Sequence, residues 1–407
     1  MAFNPLKEKG MPLEKQIREW SKINVRPYDK KSIPPYTRCR IIVANGAEVE
    51  GAFFGHQFAR HVDDLELKRQ LAMCRRMEQQ QQKMINWLVP ADESTLEVTI
   101  GYEQVAVDLT AFLAQNEPDP VVKAALDFAL LEDFDHLYRY ANLLDMTQGI
   151  KAEELVGGLT EITIGRPTIS EHRHPFDEIR PHFDAQKADI RTKLNVAIII
   201  AAEQQTMNFY MNVGNRADTE VGRGLYQEIG MVEEQHVSHY ESLNDPTMSW
   251  FMQDVIHQYA ECYLYHSFMQ QEEDPRIKKI WEEHLDMEIG HLRAACDMMK
   301  KHEKREAEEF LPSALPPPLI MQSNIAYVRK VMADMTDFNA KGTDYVPVDK
   351  IPSSYRYHEF QQMTNGDRVP SQEVIREHIE KFERDYRLEV KGDHPVERFR
   401  QRNKVVR

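Results

Sequence analysis

A glutamate followed thirty residues later by an acid-x-x-His step occurs twice in this chain. Glu103 leads to Asp133-Phe-Asp-His136, and Glu203 leads to Glu233-Glu-Gln-His236. The two sets superpose at a constant offset of 100 residues without a gap, and Glu103-Gln104 and Tyr140 match Glu203-Gln204 and Tyr240. Residues i and i+3 share one face of a helix. A carboxylate and an imidazole at that spacing can grip one metal ion or two adjacent ones. Each half therefore reads as one Glu on a helix, a turn, and an acid–imidazole pair on the returning helix. Two halves give four carboxylates and two histidines, the ligand set of di-iron and di-manganese helical bundles. Carboxylates with a few imidazoles and no thiolates suit iron or manganese.

The pattern around these residues is helical. Apolar residues recur at three- and four-residue spacing through 38–62, 65–88, 95–116 and 120–147. Helices resume over about 185–213, 220–243, 247–272 and 275–307, with turn signals at NEPDP, NDP and EDP. An irregular stretch, 148–184, separates the two sets, and PSALPPPL ends the helical body. Residues 1–37 read as a polar arm. The tail, 320–407, holds two more helices, 322–340 and 371–389, and ends in the basic run ERFRQRNKVVR. The expected organisation is an N-terminal arm (1–37), one bundle (38–311, crossover 148–184) and a C-terminal extension (312–407).

A third half-motif, Glu261 and Glu288-Ile-Gly-His291, and a weaker fourth, Glu48 and Glu78-Gln-Gln-Gln81, open another register. In it the site would be Glu203, Glu233, His236, Glu261, Glu288 and His291. Topology favours the first register. In a two-fold symmetric site the second and third helices run parallel, so a connection must travel the bundle's length. The stretch 148–184 can do this, whereas helices 220–243 and 247–272 are joined by about three residues and must be antiparallel. Helices 247–272 and 275–307 would then flank the site.

Several classes are excluded. The chain is acidic, with 51 Lys and Arg against 66 Asp and Glu and a formal charge of −15, so no nucleic-acid surface is expected. Four metal-ligating carboxylates are too few to explain that charge; most of it is solvated helix surface. The longest fully apolar run, Val196–Ala202, is far short of a membrane span. The beginning MAFNPLKEKGMPLEKQ lacks the apolar core of a secretory signal. Cys39, Cys74, Cys262 and Cys296 are scattered without a CxxC, so a cytoplasmic protein with reduced thiols is expected. No GxGxxG, Walker or GxSxG motif appears.

With Glu103, Asp133-x-x-His136, Glu203 and Glu233-x-x-His236 in place, the sequence resembles the ferritin-like di-iron carboxylate superfamily. Its spacing is most like the oxygen-activating branch: ribonucleotide reductase small subunits, bacterial monooxygenase hydroxylases and arylamine oxygenases. The resemblance covers residues 95–243, and with flanking helices 38–307. It implies an all-α, ferritin-like bundle extended to about eight helices, a pair of iron ions (with manganese or a mixed pair as the alternative) and O2 as co-substrate. The six residues would be the ligands and act catalytically through the metals. Asp133 stands where Glu is commoner, and Asp135 and Gln235 stand where hydroxylases often carry Arg.

The expected function is an O2-activating oxidoreductase, a monooxygenase, hydroxylase or oxidase of a small organic substrate. Apolar walls such as Val196, Ile199, Ile200 and Phe209 would keep water out. No flavin or iron–sulfur motif is present, which places the electron donor, a ferredoxin or flavin reductase, on another chain. A homo-oligomer or multicomponent complex is expected. The alternatives are a ferroxidase or peroxide-scavenging protein, and a non-catalytic scaffold subunit. The run Glu171-His172-Arg173-His174, with His182, reads as a hydrogen-bonded loop over the bundle. Tyr210, Tyr226, Tyr259, Tyr263 and Tyr265 read as core, Glu288 and His291 as a buried polar network, and His239 as either a neighbour of the ligands or exposed.

Overall fold

The computed structural model describes residues 3–383 together with Asp385 and Val396. Fourteen helices and one two-stranded hairpin lie among them. In chain order the helices are α1 (Trp20–Ile23), α2 (Pro35–Arg60), α3 (Leu65–Asn86), α4 (Thr95–Asn116), α5 (Pro120–Gln148), α6 (Ala152–Leu155), α7 (Thr168–Glu171), α8 (Ile190–Val213), α9 (Glu220–Glu241), α10 (Trp250–Gln271), α11 (Pro275–Glu303), α12 (Ile325–Met335), α13 (Arg356–Asn365) and α14 (Pro370–Phe382). The all-α expectation holds, and the eight long helices fall where the periodicity put them. No described helix is long and apolar enough to cross a membrane. The four cysteines are free.

Local chemistry sets the helix boundaries. Ser94 and Glu97 form a reciprocal capping box at the start of α4. Asp119 accepts from the Val121 and Val122 amides ahead of Pro120, and Asp274 does the same for Arg276 and Ile277 ahead of Pro275. These Asp-Pro joints stop one helix and begin the next within three or four residues, so α4–α5 and α10–α11 are antiparallel hairpins. Gly149 ends α5 in the left-handed conformation, φ 67°.

The chain divides into two compact units. The first comprises Met1–Asp92, Phe183–Ala202 and Asp245–Met321; the second comprises Glu93–His182, Glu203–Asn244 and Gln322–Arg407. This differs from the expected single bundle over 38–311. Helices α10 and α11, expected to flank the site, belong to the first unit with α2 and α3. The tail is not an appendage either, because α12 packs on α4 and α5, and α14 packs on α5 and α9. The physical reason is burial. Val328, Val331, Met332 and Val374 complete the same apolar cluster as Ile100, Leu137 and Ile229.

The predicted tail helix 322–340 ends early, at Met335, and residues Phe338–Lys341 pair antiparallel with Asp344–Pro347. Gly342 supplies the positive φ that the two-residue turn requires. A helix over 356–365 was also not foreseen from sequence. The basic run ERFRQRNKVVR lies outside the described residues.

Candidate metal centre

All six residues of the favoured register stand in the second unit and are buried, none more than 1% exposed. Glu103 comes from α4, Asp133 and His136 from α5, Glu203 from α8, and Glu233 and His236 from α9. They form two trios whose ligand atoms all lie within 4.8 Å of one another: Glu103, His136 and Glu233, and Asp133, Glu203 and His236. Each trio takes one lone glutamate, one imidazole, and the carboxylate three residues before the other imidazole. The acids at 133 and 233 thus cross over between the trios, which holds the two groups side by side.

The imidazoles are oriented in the same way. His136 turns Nδ1 to Glu233 Oε1 at 3.0 Å and Nε2 to Glu171 Oε2 at 2.9 Å. His236 turns Nε2 to Glu132 Oε2 at 2.8 Å. Its Nδ1 lies 3.5 Å from Asp133, 3.6 Å from Glu203 and 3.4 Å from Glu233, with no hydrogen-bond partner. A ring nitrogen anchored by a carboxylate while the other faces a cluster of oxygens is the arrangement of metal-ligating histidines. Glu132 is held in turn by Arg166 and Arg173, and Arg173 also donates to Glu178 at 2.6 Å.

Electrostatics put the buried groups of the centre under stress. Burial pushes the Glu103 carboxyl well up, the Asp133 carboxyl to about 6 and the Glu203 carboxyl to about 8. Burial would do the same to Glu233, but the hydrogen bond to His136 and the nearby imidazoles of His136 and His236 hold it below the usual range. Burial also opposes charge on both imidazoles, yet Glu171 and Glu233 at His136, and Glu203 and Glu233 at His236, hold them well above ordinary histidine. The buried oxygens Glu103 Oε2, Asp133 Oδ1 and Oδ2, Glu203 Oε1 and Oε2, and Glu233 Oε2 have no hydrogen-bond partner. A buried carboxylate oxygen without a donor is costly, and such oxygens on residues of both trios fit cationic guests.

Several neighbours were not legible as site residues. Glu132 and Glu171 contact the imidazoles, but neither has a counterpart at the 100-residue offset. Glu171 lies in the crossover run, which does pack by hydrogen bonds. Arg173 binds Glu132, and the Arg173 amide donates to Gln235 at 3.1 Å. His172 lies 3.6 Å from Glu228, and His174 accepts from the Phe176 amide. Tyr210, expected as core, is fully buried but donates to Glu103, and its ring meets those of Tyr140 and Tyr226 at 5.3 and 5.5 Å. Tyr226 shares a hydrogen bond with Thr99 at 2.6 Å. His239 contacts the Glu178 carbonyl and the Tyr345 hydroxyl rather than the six acids and imidazoles.

Residues of the competing register are split between the units. Glu203, Glu233 and His236 stand in the second, and Glu261, Glu288 and His291 in the first. Of the expected apolar walls, Phe209 lies in the second unit, stacked on Tyr102 at 4.5 Å, while Val196, Ile199 and Ile200 lie in the first. No family model, curated protein or solved structure matches the chain.

Proposed function

We propose that the second unit is a ferritin-like di-metal centre of an oxidoreductase that uses O2 on a small organic substrate. The observation that carries this reading is the pair of adjacent, fully buried trios, each with one imidazole anchored from behind by a carboxylate. Glu103, His136 and Glu233 would hold one ion, and Asp133, Glu203 and His236 the other. Four carboxylates balance two divalent cations, and the oxygen–imidazole donor set selects iron or manganese over softer-site metals. When bound, such a pair supplies electrons and Lewis acidity to dioxygen.

The chain's own groups do the remaining tasks. Glu171 and Glu132 fix the ring orientation of His136 and His236 and accept their Nε2 protons, leaving Nδ1 free to ligate. Arg166 and Arg173 hold Glu132 so that it cannot swing inward. Tyr210 orients Glu103 through its hydroxyl. Ile100, Val107, Phe134, Leu137 and Ile229 belong to the apolar cluster of the same unit and keep bulk water from the buried acids. The electrons for repeated turnover would come from a separate donor protein.

Metal analysis and O2 uptake test this together. The H136A/H236A variant is expected to lose two iron or manganese ions per chain relative to the natural sequence. With a surrogate reductant, the iron-loaded chain should consume O2 catalytically, and the variant should not. An unchanged metal content in the variant would overturn the site. Growth of a ferric mineral well beyond two irons per centre would replace the oxygenase reading with iron storage.

A further inference from the structure

Helix α9 has a second functional-looking side. At 3.6 residues per turn, Gly224, Gln227, Met231 and Glu234 share one face of it, and Glu233 and His236 belong to the opposite face. Burial agrees: Glu233 and His236 are 1% exposed, whereas Met231 is 51% exposed. Against the outer face lie α13 and the crossover run singled out in the sequence, the latter through His172 and Arg173. They leave a cavity of about 360 Å³, a size that small-molecule sites commonly have. All of its walls belong to the second unit.

The walls combine apolar surface with few free polar groups. Phe360, Met231, Pro175 and Pro370 supply the apolar part. The charged groups are largely engaged already. Arg173 binds Glu132 and Glu178, Arg368 donates to Glu220 and Glu373, and both Glu228 oxygens accept from Ser371. One donor is not engaged. Gln235 lines the cavity and is 8% exposed. Its Oε1 accepts from the Arg173 amide at 3.1 Å. A backbone amide can only donate, so this bond fixes which end of the side chain is oxygen. The Gln235 Nε2 is buried and has no hydrogen-bond partner. A buried donor left unmet is costly, and an acceptor oxygen on a guest would meet it.

We propose that this cleft binds a small neutral organic molecule. Its aromatic body packs on Phe360 and Met231, and its carbonyl oxygen accepts from Gln235 Nε2. Glu228 and Glu234 in the same wall repel an anion, and a cation finds Glu228 already satisfied by Ser371. The cleft includes none of the six acids and imidazoles and lies on the other side of α9 from them. It is therefore a second site, separate from the di-metal centre.

The test uses the full chain and acetophenone, a neutral aromatic ketone with an acceptor and no donor, titrated by saturation-transfer NMR. Saturable binding is expected. Benzoate and benzylamine, charged molecules on the same ring, should bind about tenfold more weakly, since a charge must shed water to enter. Gln235→Leu should weaken the ketone about three- to tenfold, the worth of one neutral hydrogen bond. Met231→Trp should abolish binding by filling the cleft from an exposed position. It removes no buried group, which keeps the test sound if the Gln235 variant folds poorly. Absence of saturable binding, full affinity in Met231→Trp, or equal binding of either charged probe would overturn the proposal. So would loss of the ketone in H136A/H236A, which would place the probe at the di-metal centre. Failure of the di-metal reading looks different: H136A/H236A would keep its metal content and still bind the ketone.

Discussion

At the residue scale, the groups behind the imidazoles decide how well the centre is built. Glu171 is the only described carboxylate hydrogen-bonded to His136 Nε2. Glu171→Ala leaves that nitrogen unpaired and the ring free to turn. Metal affinity at the second unit's centre should fall about 10–100-fold, measured by competition with a chelator, and an unchanged affinity would refute the role. Arg173 presents a different case. It is 1% exposed and binds both Glu132 and Glu178. Arg173→Ala takes the shared guanidinium from two buried carboxylates and should cost about 3–5 kcal/mol of stability, readable by denaturant unfolding. In the sequence both stood in the run read as a hydrogen-bonded loop, with no sign that they back the imidazoles. The six acids and imidazoles stood out, because a helix face repeats every three or four positions; Glu132 reaches His236 from α5 and Glu171 reaches His136 from the short helix α7, at positions outside the 100-residue repeat.

At the element scale, the crossover between α5 and α8 is clamped at two points. In its middle, Gly165 lies so close to α5 that an added Cβ would meet Phe134 Cε2 at 2.3 Å and the Leu131 carbonyl at 2.4 Å. Gly165→Ala should therefore destabilise by about 3 kcal/mol or more, with a lower melting temperature as the readout. Further along, Asp177 receives Arg356, the Tyr355 hydroxyl and the Gly342 amide, at 2.6–2.9 Å. Burial works against its charge, but these donors hold its carboxyl below the ordinary range. The sign follows: its stabilisation is complete above the unfolded value of about 3.9 and is lost as pH falls through the lower folded value. Asp177→Asn should flatten the acid limb of a stability–pH curve, and an unaltered limb would remove Asp177 from the account. Helix extents were legible here because caps and Asp-Pro joints are local. The hairpin at 338–347 was not, since its first strand, Phe338–Lys341, continues the apolar spacing of the helix expected over 322–340.

At the scale of the whole molecule, two units each enclose a buried cluster of acids and histidines. Ligand binding to the folded state alone stabilises by about 2.7 kcal/mol at a hundredfold excess over Kd. Adding Mn2+ or Zn2+ to the stripped chain should raise its melting temperature by several degrees. The variant lacking His136 and His236 should show no rise. An equal rise in that variant would place the binding elsewhere.

By itself the sequence determined the eight long helices and picked out Glu103, Asp133, His136, Glu203, Glu233 and His236 as one group, since these depend on short-range periodicity and a repeat. Tertiary structure alone decided that Glu261, Glu288 and His291 belong to another unit, that the tail completes the second unit's core, and that α9, α13 and the crossover wall one cleft. Such contacts join side chains from segments far apart in the chain. Burial and packing select them, and no local spacing records them.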